Sequence, residues 1–311
     1  MKRSMHILYS SIYVWLTVLL FSTMCYAEQD GGCTGGCTVE VDWHRLKAHE
    51  LRKLANENAV VILPIASTEQ HGPQLPVMTD TRIGKETALR AARLAYPTRP
   101  TVVAPVVWSG LSEHHMQFGG TLILSHDTFR RVIRDLIESL VRHGFKDILI
   151  SNSHGGNRIA MQQILDELAP FSKATLVATS SFQEAGESMS QHLEDQKGGG
   201  EHAGEGETSM MLACEPDLVD ASNLSELASP YWKEKVKFLT VGQDSYRWRP
   251  FSHVTHNGIS GNPARATAEK GEKMMNAGAE AIAKLIMDPE TWAAPNDLKL
   301  ESIGGIPFRK S

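Results

Sequence analysis

The chain has 311 residues, of which 41% are hydrophobic and 22% charged, with a formal net charge of −5. That length can bury a substantial core, and the composition is that of a globular protein rather than a disordered or fibrous one. Without a concentrated positive face there is no footprint for a phosphate backbone, so nucleic acid is not an expected partner.

Lys2 and Arg3 precede an apolar run from Ile7 to Phe21, and Cys25-Tyr26-Ala27 follows. Small residues at −3 and −1, Cys25 and Ala27, of a cleavage after Ala27 make residues 1–27 read as a secretory signal peptide. The apolar run is shorter than the ~20 residues of a membrane span, although a retained anchor has the same outline. The expected location is therefore export to a periplasm or beyond, with no stable membrane span after cleavage. Ser22-Thr23-Met24 is a poor lipobox before Cys25.

Residues 28–38 are a flexible Gly/Cys-rich segment. Its Cys33 and Cys37 either close a small disulfide in an oxidising compartment or are incidental thiols. From 39 to 311 there is no convincing linker or repeat, which predicts one domain.

Val60–Ile65 is an unbroken apolar, β-branched strand, followed by a helix from Thr81 to Leu94. Thr101–Val107 precedes a helix over Asp127–His143, whose Val132, Leu136, Ile137 and Leu140 mark one apolar face. Asp147–Ser151, a helix from Asn157 to Leu168, and Ala174–Thr179 complete the alternation. Two more helices fit Glu205–Cys214 and Ala264–Ile286. Apolar strands alternating with amphipathic helices predict an α/β fold with a mostly parallel sheet covered on both faces. Residues 181–202 and 228–262 lack a clear period and read as loops near the site or oligomer contacts. Cys214 ends an apolar run and reads as a small core residue.

In such sheets, ligands bind beyond the carboxyl ends of the strands. The polar clusters fall there. Glu69, Gln70 and His71 follow the first strand, and Gly72, Pro73 and Pro76 supply a turn that can bring Asp80 back beside them. SNSHGGN, with His154, Gly155 and Gly156, follows DILI; Asn157 is placed to cap the next helix. EHAGEGETS, with His202 and Glu207, runs into the helix that begins at Glu205. Asp, Glu and His in this mixture are ligands for zinc, manganese or iron. A shared carboxylate would let two ions sit together and lower the pKa of a shared water. No P-loop, Rossmann glycine fingerprint, G-x-S-x-G elbow or H-E-x-x-H helix is present. The Gly-rich 198–206 stretch lacks the strand that a phosphate cradle requires.

These segments resemble the creatininase (creatinine amidohydrolase) family. LPIASTEQHGPQLPVMTDT is similar to its first metal motif, SNSHGGN to its second and EHAGEGETSMML to its third. GLSEHHMQFGGTLILS resembles its substrate-side loop, and NGISGNPARATAEKGE its C-terminal signature. The resemblance spans about Trp43 to Ile286 and implies a three-layer α/β/α fold, two divalent ions and a ring-like homo-oligomer, often a hexamer. Carried over, Glu69, His71, Asp80, His154 and Glu207 are implied metal ligands, with Asp80 bridging. His202, with Glu207 as a site carboxylate, is the implied catalytic acid/base. His115, Gly155 and Gly156 are implied to face the substrate.

Two departures bear on the substrate. Gly156 stands where creatinine-hydrolysing members carry a ligand Glu, and Asp195–Gly200 has none of their tryptophans. Creatinine itself is therefore not the expected substrate. The expected reaction is hydrolysis of a non-peptide C–N bond in a small, linear or cyclic amide by a metal-activated hydroxide. Trimming of a peptide end and a non-catalytic periplasmic binding protein are the alternatives.

Overall fold

The computed structural model describes residues 39–195, 202–229 and 247–293. The predicted signal peptide, the segment with Cys33 and Cys37, and residues 198–201 of the Gly-rich stretch lie outside them.

The order is α1 (Ala48–Asn56), β1 (Val60–Ile65), α2 (Thr79–Ala95), β2 (Thr101–Val103), α3 (His126–Arg142) and β3 (Asp147–Asn152). Then come α4 (Arg158–Leu168), β4 (Thr175–Thr179), the short α5 (Ser181–Glu184) and α6 (Gly186–Ser190), α7 (Glu205–Cys214) and α8 (Ala268–Met287). The strands form one parallel sheet in the order β2-β1-β3-β4, with Val60 opposite Asp147 and Ile65 opposite Asn152.

All of β1 is buried, because alternate side chains enter different cores. Val61, Leu63 and Ile65 pack with Ile148 and Ile150 against α1, α3 and α4. Val60 and Ile62 pack with Leu149 against α2 and α8. Ala88, Ala91, Ala92 and Ala95 on α2 are buried against that face, their small size permitting close approach. Each fully buried Val, Leu or Ile stabilises the fold by roughly 1.5–3 kcal/mol. This is the expected three-layer α/β/α arrangement.

Several boundaries shift for local reasons. β2 stops at Val103; Pro105 has no N–H for a ladder, although Val107 rejoins β1 through a bond to the Pro64 carbonyl (2.9 Å). α8 begins at Ala268, where the Thr267 side chain accepts from Lys270 N–H, and Pro263–Arg265 is a separate 3-10 turn. On α3 the buried stripe is Phe129, Ile133, Ile137 and Leu140, whereas Leu136 is exposed. A helix was not expected over α1.

Asn157 does not cap α4 with its side chain. Its Oδ1 accepts from Leu111 N–H (2.9 Å) and its Nδ2 donates to the Ala66 carbonyl (3.0 Å). It thus ties the 110–118 loop to the end of β1. Among the described residues no helix is long and apolar enough to cross a membrane.

Candidate metal centre

The sheet ends its strands on one side of the molecule, and the polar clusters meet there. Glu69 and His71 leave β1, Asp80 lies in the first turn of α2, His154 follows β3, and Glu207 lies in the first turn of α7. All five are buried. The hydroxyl of Ser153 donates to the Asp80 carbonyl (2.9 Å), pinning the start of α2 to the end of β3.

Two donor groups share Asp80. Glu69, Asp80 and His154 form one, and His71, Asp80 and Glu207 the other, each with ligand atoms within 4.8 Å of one another. Asp80 Oδ2 lies 3.2 Å from His154 Nδ1, and Asp80 Oδ1 lies 3.3 Å from His71 Nε2. Glu69 Oε2 is 3.2 Å from His154 Nδ1 and Glu207 Oε2 is 3.6 Å from His71 Nε2.

The imidazoles are oriented from behind. His71 Nδ1 donates to the Glu69 carbonyl (3.1 Å), which aims Nε2 at the carboxylates. His154 turns Nε2 toward Ser112 Oγ (3.1 Å) and the Leu111 carbonyl (3.3 Å), which aims Nδ1 inward. Such outer partners fix the tautomer of metal-binding histidines.

Donor chemistry and unmet bonding both fit divalent ions. Glu69 Oε2, His71 Nε2 and Asp80 Oδ2 are buried without a hydrogen-bond partner. Each orphaned buried polar atom costs roughly 1–3 kcal/mol, more when charged. Three orphans converging on one space are the pattern left by cations that take up those lone pairs.

The charges hold one another without ions. Burial raises the pKa of Glu69, but the imidazoles of His115, His154 and His202 outweigh it and hold the carboxyl well below its usual range. Burial lowers His154, yet Glu69 and Asp80 push it up to about 10. His71 is likewise raised against burial by Asp80 and Glu207. His202 is lowered by burial and by His71, and His115 by burial.

His202 sits over this cluster, its ring centroid 4.3 Å from that of His71. Its Nδ1 is 3.7 Å from Glu69 Oε1, and its backbone exchanges hydrogen bonds with Ser260. The next residue, Ala203, takes φ of +52°, a strained turn for an L residue. That turn brings the Ala203 N–H onto Glu207 Oε2 (2.5 Å).

His115 is buried, with Nδ1 2.7 Å from Gln70 Nε2 and Nε2 3.5 Å from Glu69 Oε1. Gly155 faces open space. At Gly156 a Cβ would collide with the Leu111 carbonyl oxygen and His154 Nε2, and would lie 3.2 Å from His114 Cε1. The close approach at Gly156 is therefore made by the chain itself, and a larger residue does not fit.

Gln70, Ser112 and His114 join the site from within the quoted motifs, where none was given a role, and Phe251 joins it from outside every motif. Phe251 lies 4.6 Å from the His115 ring and 5.0 Å from His202, sealing them from water. It belongs to the aperiodic 228–262 stretch.

A family model described as creatinine amidohydrolase matches residues 44–286. A mycofactocin precursor peptide peptidase from Mycobacterium ulcerans is 29% identical over 219 residues, covering 69% of this chain and 79% of its own. A creatinine amidohydrolase from Pseudomonas putida is 30% identical over 195 residues, covering 58% of this chain and 72% of its own. Among solved structures, a tryptophan-to-phenylalanine mutant creatininase matches with a TM-score of 0.66 at 26% identity, over 82% of this chain and 100% of that one. A mutant creatininase of Zn–Zn type matches with a TM-score of 0.66 at 25% identity over the same shares, 82% and 100%. The chain belongs to the creatininase family and is a hydrolase of that family.

Proposed function

We propose that this member of the creatininase family hydrolyses the C–N bond of a small amide at a centre of two divalent ions. The observation that carries this reading is the set of orphaned buried atoms on Glu69, His71 and Asp80. Glu69, Asp80 and His154 would hold one ion and His71, Asp80 and Glu207 the other, with one oxygen of Asp80 directed to each group. When bound, such ions supply Lewis acidity, which lowers the pKa of water and polarises a carbonyl. Zinc, manganese and iron all suit these donors.

The chain's own residues do the rest. His202, neutral because burial disfavours its charged form, moves the proton between water and the leaving nitrogen. Glu207 holds the turn at Ala203 that sets His202 in place. Phe251 excludes water, which strengthens every charge interaction inside the site. Backbone amides at Gly155 and Gly156 offer donors for a developing oxyanion.

A second reading is hydrolysis at a peptide end. It is favoured by the mycobacterial peptidase relative, which aligns over more of this chain than the creatinine amidohydrolase does. Export and a homo-oligomeric ring accompany the proposal, the first supported by the residue pattern before Ala27.

Elemental analysis of the purified protein beside Asp80→Ala tests the centre. About two divalent ions per chain, lost in the variant, are expected; an ion-free folded protein overturns it. Product analysis with small lactams and with end-capped peptides separates the two substrate readings.

A further inference from the structure

Gln70 lies between two proposed ligands, Glu69 and His71, and carries a neutral amide rather than a carboxylate or an imidazole. It is buried, and its side-chain amide lies within hydrogen-bond distance of both His115 and His202. Its Oε1 accepts from Gly72 N–H (3.0 Å), which settles which end of the amide is oxygen. Nε2 then has two hydrogens to place. One goes to the Gly258 carbonyl (3.1 Å) and the other to His115 Nδ1 (2.7 Å).

The proton positions of both histidines follow. A neutral imidazole carries one N–H and one lone pair. His115 accepts at Nδ1, so its proton is on Nε2, the nitrogen 3.5 Å from Glu69 Oε1. His202 Nε2 lies 2.9 Å from the Gln70 backbone carbonyl, which is only an acceptor. Its proton is therefore on Nε2, and Nδ1 keeps a lone pair directed into the site. The 3.1 Å approach of Gln70 Nε2 to His202 Nε2 brings together two donors that are each bonded elsewhere.

We propose that Gln70 is the positioning residue that sets both tautomers, its side-chain amide making His115 a proton-bearing partner of Glu69 and its backbone carbonyl leaving His202 as a proton acceptor at Nδ1. The proposal rests on the hydrolase reading above and adds three things to it. His115 serves Glu69 rather than the substrate. The Glu69–His114–His115 group is not an ion site, because the inward nitrogen of His115 carries a proton. For the proton transfer already given to His202, the working atom is Nδ1: a proton leaving water lands there as the C–O bond forms. It passes to the departing nitrogen as the C–N bond breaks, so His202 ends neutral.

The C-terminal segment holds this arrangement from the far side. Gly258 has φ of +80°, and a Cβ there would collide with the Gln70 amide. Only glycine lets the backbone carbonyl approach Nε2 without strain.

The test is long-range 15N–1H correlation NMR on the full, zinc-loaded protein labelled in histidine, with His115 and His202 assigned from His115→Gln and His202→Gln. The expected spectrum shows both protonated on Nε2. In Gln70→Met, His115 should lose its single-tautomer pattern while zinc content stays at the wild-type level. Turnover of any substrate found should fall about 10–100-fold through kcat, with KM little changed. Gly258→Ala should reproduce the His115 change. A proton on Nδ1 of either histidine in the wild type, or a His115 pattern unmoved in Gln70→Met, overturns the proposal. Absence of zinc binding sinks the metal reading alone, because proton positions are then read on the ion-free protein.

Discussion

Glu205 and Glu207 stand two residues apart at the start of α7, both buried, in opposite circumstances. Glu205 is closed: Lys270 Nζ lies 2.5 Å from Oε1, and the backbone N–H groups of Glu194 (3.1 Å) and Asp195 (2.7 Å) donate to its two oxygens. Glu207 instead faces His71 and Asp80, where Asp80 Oδ2 and His71 Nε2 have no hydrogen-bond partner. One cluster is satisfied by the protein and the other is complete only with something added. Burial of charge is common to both; unmet bonding is what marks a functional centre.

The sharpest way to break this comparison is to remove the shared carboxylate. Asp80→Ala should lose both ions by elemental analysis and drop turnover to background; an active, metal-replete variant removes Asp80 from the centre. His202→Ala should lower turnover by about 10²–10⁴-fold while leaving the ion content unchanged. Loss of ions there would make His202 a ligand.

On the closed side, Lys270→Met leaves Glu205 buried without its cation and should cost about 3 kcal/mol in urea unfolding. It should leave metal content unaltered. A negligible cost would mean the backbone donors suffice.

Acidity separates the two clusters further. His154 is raised from 6.5 to about 10 by Glu69 and Asp80 against burial in the ion-free protein. A raised folded pKa stabilises fully below the unfolded value and is lost as pH climbs through the folded one. The thermal midpoint of metal-stripped protein should therefore fall on the order of 5 °C across that window. The loaded protein should stay nearly level, because a ligating imidazole has already given up its proton. Lys270, raised by Glu194 and Glu205 against burial, keeps its pair throughout the same window. The smallest effect expected is at Ala203→Gly, which relieves the left-handed φ and should raise stability by about 0.5 kcal/mol or less. A marked loss would show that the methyl group packs the turn.

Much of the frame was legible beforehand. β1 spans Val60–Ile65 and α7 spans Glu205–Cys214 as the apolar runs predict, because a strand buried on both faces and a helix that follows a glycine leave local signals. Glu69, His71 and His154 follow the strand ends, where ligands gather, and the turn at Gly72, Pro73 and Pro76 accounts for the return of Asp80. Resemblance, not spacing, told Glu207 from Glu205, since both are acids in the same first turn. The substrate-facing role implied for His115 rested on its motif; the bonds to Gln70 and the approach to Glu69 emerge only when the 110–118 loop folds over β1.

The amino-acid sequence by itself determined the parallel sheet, the side on which the site lies and the chemistry of its donors, for these follow from periodicity and residue type within short windows. Tertiary structure alone decided which carboxylates are satisfied, which nitrogen of each histidine bears the proton, and why Gly156 and Gly258 carry no side chain. Those depend on partners tens to hundreds of residues away in the chain, as Gln70 with Gly258 and Glu205 with Lys270. Hydrogen bonds act over ~3 Å, so such facts exist only once the fold has brought the partners within reach.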